Sequence, residues 1–239
     1  MTPVYTTDGR HVVFASTRGG GRPNIFWRPA DGSGKDEPLT TSPYLQAPHG
    51  FSPDGTVLVI REDGPATAVD VRVVSMEPSS LKDGKARSQP LIQSSFNDLA
   101  ADISPDGHWI AYSSNESGVP QIYVRPFPAV DTGLQQISTE GGVTPAWSHS
   151  GRELFYLDSN NVMMAVPVET TSGFKALTPQ RLFQGRWFGG QTTRAYDVAR
   201  NDQRFLMIKD ASSDRPSAPA TVAVVVNWAE ELKQQLATR

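Results

Sequence analysis

The chain has 239 residues, 38% apolar and 20% charged, with a formal net charge of −3 and no cysteine. That length suits one large all-β domain or two small ones. The missing cysteines exclude disulfides, thiolate chemistry and cysteine zinc sites, and the acidic balance offers no basic footprint for nucleic acid. No stretch reaches the ~18 apolar residues of a membrane span, and the opening MTPVYTTDGRHVVF lacks the apolar centre of a signal peptide.

Taken in chain order, one unit recurs. It opens with VYTTDG at 4–9 and returns as GFSPDG at 50–55, DISPDG at 102–107, AWSHSG at 146–151 and, in degenerate form, DVARND at 197–202. Aligned on Gly9, Gly55, Gly107, Gly151 and Asp202, the spacings are 46, 52, 44 and 51 residues, close to the ~40–50 of a propeller blade. An apolar run follows each turn: HVVFAS, VLVIRE, WIAYSS, ELFYLD and RFLMIK. A Gly- or Asn-rich break leads to a third run: NIFWRP, VDVRVV, QIYVRP, MMAVPV and TVAVVV. A weaker fourth run closes most units, as in EPLT, QPLIQS, LQQIST and QRLFQG.

Four short strands per repeat, punctuated by turn residues, is the pattern of a blade. The sequence therefore predicts an all-β fold, a β-propeller of about five four-stranded antiparallel blades in a single domain over 1–239. The blades fall at about 3–44, 45–95, 96–140, 141–190 and 191–227. The run after each turn is apolar on both faces, with Ile110 and Tyr112 on one side and Ala111 on the other, as expected for sheets covered on both sides. A β-sandwich with irregular strands is the alternative. It gives no reason for STRGGGRPNIFWRP at 16–29 to match SNESGVPQIYVRP at 114–126. At the end, Asn227 suits an N-cap with Glu230 three residues on. Trp228, Leu232 and Leu236 form an apolar stripe, which predicts a helix over 228–238.

The Ser-Pro-Asp-Gly turns at 52–55 and 104–107, WIAYSS at 109–114 and QIYV at 121–124 resemble the WD40-like (PD40) repeats of the TolB-type propeller family, over essentially the whole chain. SNESGVPQIYVRPFP at 114–128 and VVVNWAEELK at 224–233 resemble more closely the propellers fused C-terminally to bacterial transmembrane Ser/Thr protein kinases. That resemblance implies a binding or sensing module outside the cytoplasmic membrane, forming the C-terminal part of a larger protein. Family propellers also form the lids of prolyl-oligopeptidase-like hydrolases, and TolB itself is an envelope assembly scaffold. Ser148-His149-Ser150 stands where the family has Ser-Pro-Asp, and Asn201-Asp202 replaces Asp-Gly. No Gly-rich loop before a strand lysine, no HRD and no DFG occurs, so no kinase activity carries over.

The residues point to no catalyst. His11, His49, His108 and His149 lie in or beside the repeated turns, where solvated side chains are expected. Asp8, Asp54 and Asp106 occupy one repeated position, which suits either a ring of hard cation ligands or three local turn caps; the caps are preferred. Ser148-His149-Ser150-Gly151 lacks the strand-to-helix setting of a nucleophile elbow. Gly19-Gly20-Gly21 leads to a strand rather than a phosphate-binding helix. No metal site and no cofactor is therefore expected.

The candidate contact surface is the Gly-rich loop carrying Arg186, Trp187, Phe188 and Arg194. Interface-type residues there sit on a rigid scaffold. Arg18, in the second-to-third-strand loop, falls on the same face, opposite the Ser-Pro-Asp-Gly turns. The competing reading is that Trp187 and Phe188 pack between blades. The ring is expected to close poorly, leaving the outer faces of the first and last blades open to association.

Overall fold

The structure, a computed structural model, describes residues 3–64, 69–81, 86–171, 173–187 and 194–208. These belong to one compact unit, Met1–Ile208. The TVAVVV run and the helix expected at 228–238 lie outside the described residues, as does Phe188.

Nineteen strands are described, all in antiparallel sheets. The first sheet is β1 (Val4–Tyr5), β2 (His11–Ser16), β3 (Asn24–Pro29) and β4 (Glu37–Pro38), hydrogen-bonded in that order. The second is β5 (Gln46–Phe51), β6 (Val57–Asp63), β7 (Val69–Ser75) and β8 (Ser88–Ile92). The third is β9 (Asp98–Ile103), β10 (Trp109–Ser114), β11 (Gln121–Pro126) and β12 (Gln135–Gln136). The fourth runs β13 (Val143–Trp147), β14 (Glu153–Leu157) and β15 (Val162–Glu169). There the last place is shared: β16 (Lys175–Ala176) pairs with one end of β15 and β17 (Gln180–Gln184) with the other. In the fifth sheet, β18 (Tyr196–Val198) and β19 (Phe205–Met207) are described.

The repeated turn builds each sheet in one way. The amide of the glycine donates to the carbonyl three residues back: Gly55 to Ser52 at 2.9 Å, Gly107 to Ser104 at 2.9 Å. Both glycines have φ of 74°, the left-handed region that costs a side chain ~1–2 kcal/mol. Asp202 adopts the same conformation at φ 57°, and its amide donates to Ala199 at 2.8 Å. The degenerate fifth copy is thus a true structural repeat. The turns of successive sheets abut: a methyl group on Gly107 would sit 3.9 Å from Pro53, and one on Gly151 3.8 Å from Pro105.

Apolar side chains alternate between the two faces of each sheet, and the facing sides of successive sheets meet. Val13 and Ile25 of the first sheet pack with Leu58, Ile60 and Val74 of the second. Val59 and Val71 turn the other way, onto Ile103, Ile110 and Tyr112 of the third. Ala111, Ile122 and Val124 meet Trp147, Leu154 and Val166 of the fourth. Phe155 and Met163 meet Tyr196 and Val198 of the fifth. At ~1.5–3 kcal/mol for each fully buried Val, Leu or Ile, these four serial seams hold the sheets face to face. Among the described residues, the faces beyond them include Tyr5 on the first sheet, 65% exposed, and Leu206 on the last, 74% exposed.

Candidate functional site

The first strands of the sheets neighbour one another, and those of the second, third and fourth sheets carry an irregularity before the turn. In β5 the register shifts between Pro48 and Gly50, in β9 opposite the Ala111–Ser113 stretch, and in β13 between Val143 and Ala146. Such bulges bend a strand and re-aim its side chains. Their residues are His49, the Ala100–Ala101 pair and the Thr144–Pro145 pair; Ala100 and Thr144 have φ of 52° and 51°.

This register builds a cavity of about 240 Å³ where the five first strands converge. Pro3, His49, Ala101, Pro145 and Tyr196 all line it, and each lies six positions before its repeat's turn residue. Val4, Pro48, Ala100, Arg194 and Asp197 complete the wall. The cavity lies on the approximate repeat axis, and His49, Tyr196, the Arg194 guanidinium and the Asp197 carboxylate are its polar side chains.

The side chains around it tie the sheets together. The Ala101 amide donates to His49 Nδ1 at 3.2 Å. The Trp147 amide donates to Asp102 Oδ2 at 2.9 Å, and Trp147 Nε1 to the Asp102 carbonyl at 3.1 Å. The Tyr196 hydroxyl donates to the Thr144 carbonyl at 2.6 Å. Arg194 forms an ion pair with Asp102 at 3.2 Å and lies 6.0 Å from the Tyr196 ring.

The electrostatics follow from this packing. Burial, reinforced by the Arg61 and Arg194 charges, pushes the His49 pKa down to about 3. The imidazole is therefore neutral at physiological pH. Because Nδ1 accepts a hydrogen bond, the proton resides on Nε2. That buried Nε2 has no hydrogen-bond partner among the described residues, so an unsatisfied donor sits in the wall of an axial cavity. Burial opposes the charge on Arg194, but Asp102, Tyr196 and Asp197 outweigh it and raise its pKa. Burial likewise holds the Tyr196 hydroxyl protonated, far above its ordinary range.

His49 corrects the expectation of four solvated turn histidines: it lies in β5, six positions before the turn. His11 also lies in a strand and stacks on Trp27, with ring centroids 4.8 Å apart. His108 and His149 are exposed turn residues. The repeated aspartates serve their own turns. Asp54 accepts from the Thr56 amide at 3.0 Å and from the Ser52 hydroxyl at 2.5 Å, and Asp8 and Asp106 make the equivalent bonds. These hydrogen bonds, Ser52 foremost, hold the Asp54 pKa low. Ser148 is buried, accepts from the Glu153 amide, and precedes a strand rather than a helix. Among the described residues, no three His, Asp or Glu side chains group as metal ligands, and no helix is long and apolar enough to cross a membrane.

Of the residues expected to form a contact surface, Arg194 enters the axial wall. Trp187 packs edge-on against Phe183, with centroids 5.9 Å apart, and lines a second cavity on the other side of Tyr196. Arg186 is exposed. Arg18 is engaged elsewhere, paired with Asp36 and 5.8 Å above the Phe14 ring.

No protein-family model matches the chain. Its fold is that of several solved propeller-containing proteins. TolB from Acinetobacter baumannii matches with a TM-score of 0.57 at 16% identity, over 77% of this chain and 43% of that one. The periplasmic gluconolactonase PpgL from Pseudomonas aeruginosa gives 0.58 at 17%, over 85% and 63%. A puromycin-hydrolyzing peptidase from Mycobacterium tuberculosis gives 0.60 at 17%, over 86% and 34%. The chain therefore spans between about a third and two thirds of these proteins, and the likeness establishes a TolB-like β-propeller architecture.

Proposed function

We propose that this chain is a non-catalytic propeller module that recognises a ligand at the axial cavity. The group recognised is an oxygen acceptor, a carboxylate foremost, taken by the Arg194 guanidinium and the His49 Nε2–H. The observation that carries this reading is the unsatisfied His49 donor, buried in the wall of a cavity that also contains Arg194. A buried donor left without a partner costs ~1–3 kcal/mol, which an incoming acceptor restores as affinity. A base with a pKa of about 3 is poorly matched to proton abstraction near neutral pH. Asp102 is already committed to Trp147 and Arg194. Both features support binding over chemistry.

The resemblance to kinase-linked propellers supports placing the module in a larger protein, on the outer side of a bacterial membrane as a sensor. The gluconolactonase supplies the competing reading, lactone hydrolysis. Two assays separate them. Glucono-1,5-lactone, an aryl ester and a peptide substrate should show no turnover above the spontaneous rate. Acetate, succinate and gluconate, titrated while the Ala101 and Trp147 amide resonances are followed, should give at least one saturable shift, weakened about tenfold by Arg194→Gln. Lactone turnover lost on His49→Gln, with no carboxylate binding, would replace recognition with hydrolysis.

A further inference from the structure

A second cavity, of about 460 Å³, opens between the third, fourth and fifth sheets, within the ~300–1,000 Å³ of small-molecule sites. Val119, Pro120, Leu157, Trp187, Tyr196 and Met207 give it apolar and aromatic walls. Two polar atoms in its lining residues are buried without a hydrogen-bond partner among the described residues: the Thr144 hydroxyl and Trp187 Nε1. Thr144 is 2% exposed. Its φ of 51° is a left-handed conformation rare for a β-branched residue. Strain of this kind persists where the surroundings over-determine it, often at ligand sites.

Of the other polar residues of the lining, Thr139, Glu140 and Asn161 are exposed, and the side chains of three more are engaged. The Tyr196 hydroxyl donates to the Thr144 carbonyl, Asp158 Oδ1 accepts from the Asn160 and Val162 amides at 2.8 Å each, and the Ser159 hydroxyl donates to the Glu140 carbonyl at 2.9 Å. Glu140 and Asp158 contribute negative charge, and no Lys, Arg or His is among the described lining residues. The same two carboxylates help raise the Tyr156 pKa. An anion is therefore disfavoured.

We infer that this cavity is a second binding site, for an uncharged, apolar small molecule bearing a carbonyl-type acceptor. The carbonyl oxygen takes the Trp187 Nε1–H and the Thr144 hydroxyl, while the apolar body lies among Leu157, Met207 and the indole. The site is independent of the axial one: Tyr196 lines both, but Arg194 and His49 take no part here.

Three probes of one shape test it: benzamide, neutral with an acceptor; benzoate, an anion; and toluene, without an acceptor. The indole N–H signals of nitrogen-15-labelled protein are read, with that of Trp187 identified by its loss in Trp187→Phe. Benzamide should move this signal downfield saturably and bind about tenfold more tightly than benzoate. Thr144→Val should weaken benzamide about fivefold without affecting toluene, and Thr144→Ser should restore it. An unshifted Trp147 indole signal verifies that each variant is folded. No saturable shift with benzamide, preference for benzoate, or equal benzamide binding by wild type and Thr144→Val would overturn the inference.

Discussion

The Arg194 guanidinium lies 3.2 Å from the Asp102 carboxylate, joining the segment that enters the fifth sheet to the first strand of the third. The same carboxylate accepts the Trp147 amide of the fourth sheet at 2.9 Å. One side chain of β9 thus holds two other sheets at the axis. Replacing Asp102 by Ala leaves a largely buried cation and a backbone amide without their acceptor. A loss of about 2 kcal/mol is expected, visible as a fall in Tm of about 5 °C. Unchanged thermal unfolding would mean that the pair is not structural.

His49 gives a pH dependence whose sign is fixed. Its folded pKa, about 3, lies below the ordinary 6.5, so the unfolded chain binds the extra proton. The stability due to the neutral ring is full above pH ~6.5 and is lost as the pH falls toward 3. One such group contributes up to ~1.4 kcal/mol per pH unit. Denaturant unfolding of wild type and His49→Gln between about pH 7 and 4 should therefore give a flatter profile for the variant. Parallel profiles would show that His49 titrates normally.

Asp202 shows how a degenerate turn is compensated. It occupies the glycine position at φ 57° and accepts the His149 amide at 2.8 Å and the Ser150 amide at 3.0 Å. Asp202→Gly relieves up to ~1 kcal/mol of backbone strain but removes two acceptors worth ~0.5–1.5 kcal/mol each. A net destabilisation of about 1 kcal/mol is expected by urea titration, and a stabilised variant would show that the cross-sheet bonds carry no weight.

The fold was legible because its determinants are local. The Asp-Gly turns, the two-faced runs such as Ile110-Ala111-Tyr112 and the near-constant spacing all survive as one-dimensional pattern. Even Asn201-Asp202 reads as a turn, since Asp tolerates the left-handed conformation. The axial site was less legible. His49 looked like a turn residue by proximity, and its strand position depends on a bulge that periodicity does not reveal. One signal was present: Pro3, His49, Ala101, Pro145 and Tyr196 share a register, six before each turn, so rotational symmetry requires them to converge. Asp102 looked like part of the turn motif, and its partner Arg194 is distant in sequence. Residue type alone marks Trp187 as a contact candidate, whereas its cavity depends on how three sheets meet.

Nitrogen-15 NMR of the His49 imidazole tests axial recognition most directly. The expected state at neutral pH carries its proton on Nε2, shows no titration between about pH 5 and 8, and gives an Nε2–H signal that moves saturably when a bound carboxylate accepts from it. In Arg194→Gln that movement should weaken about tenfold. An imidazole protonated on Nδ1, one titrating near its ordinary pKa, or one unmoved by acetate, succinate and gluconate alike would contradict the assignment of the axial cavity as the recognition site.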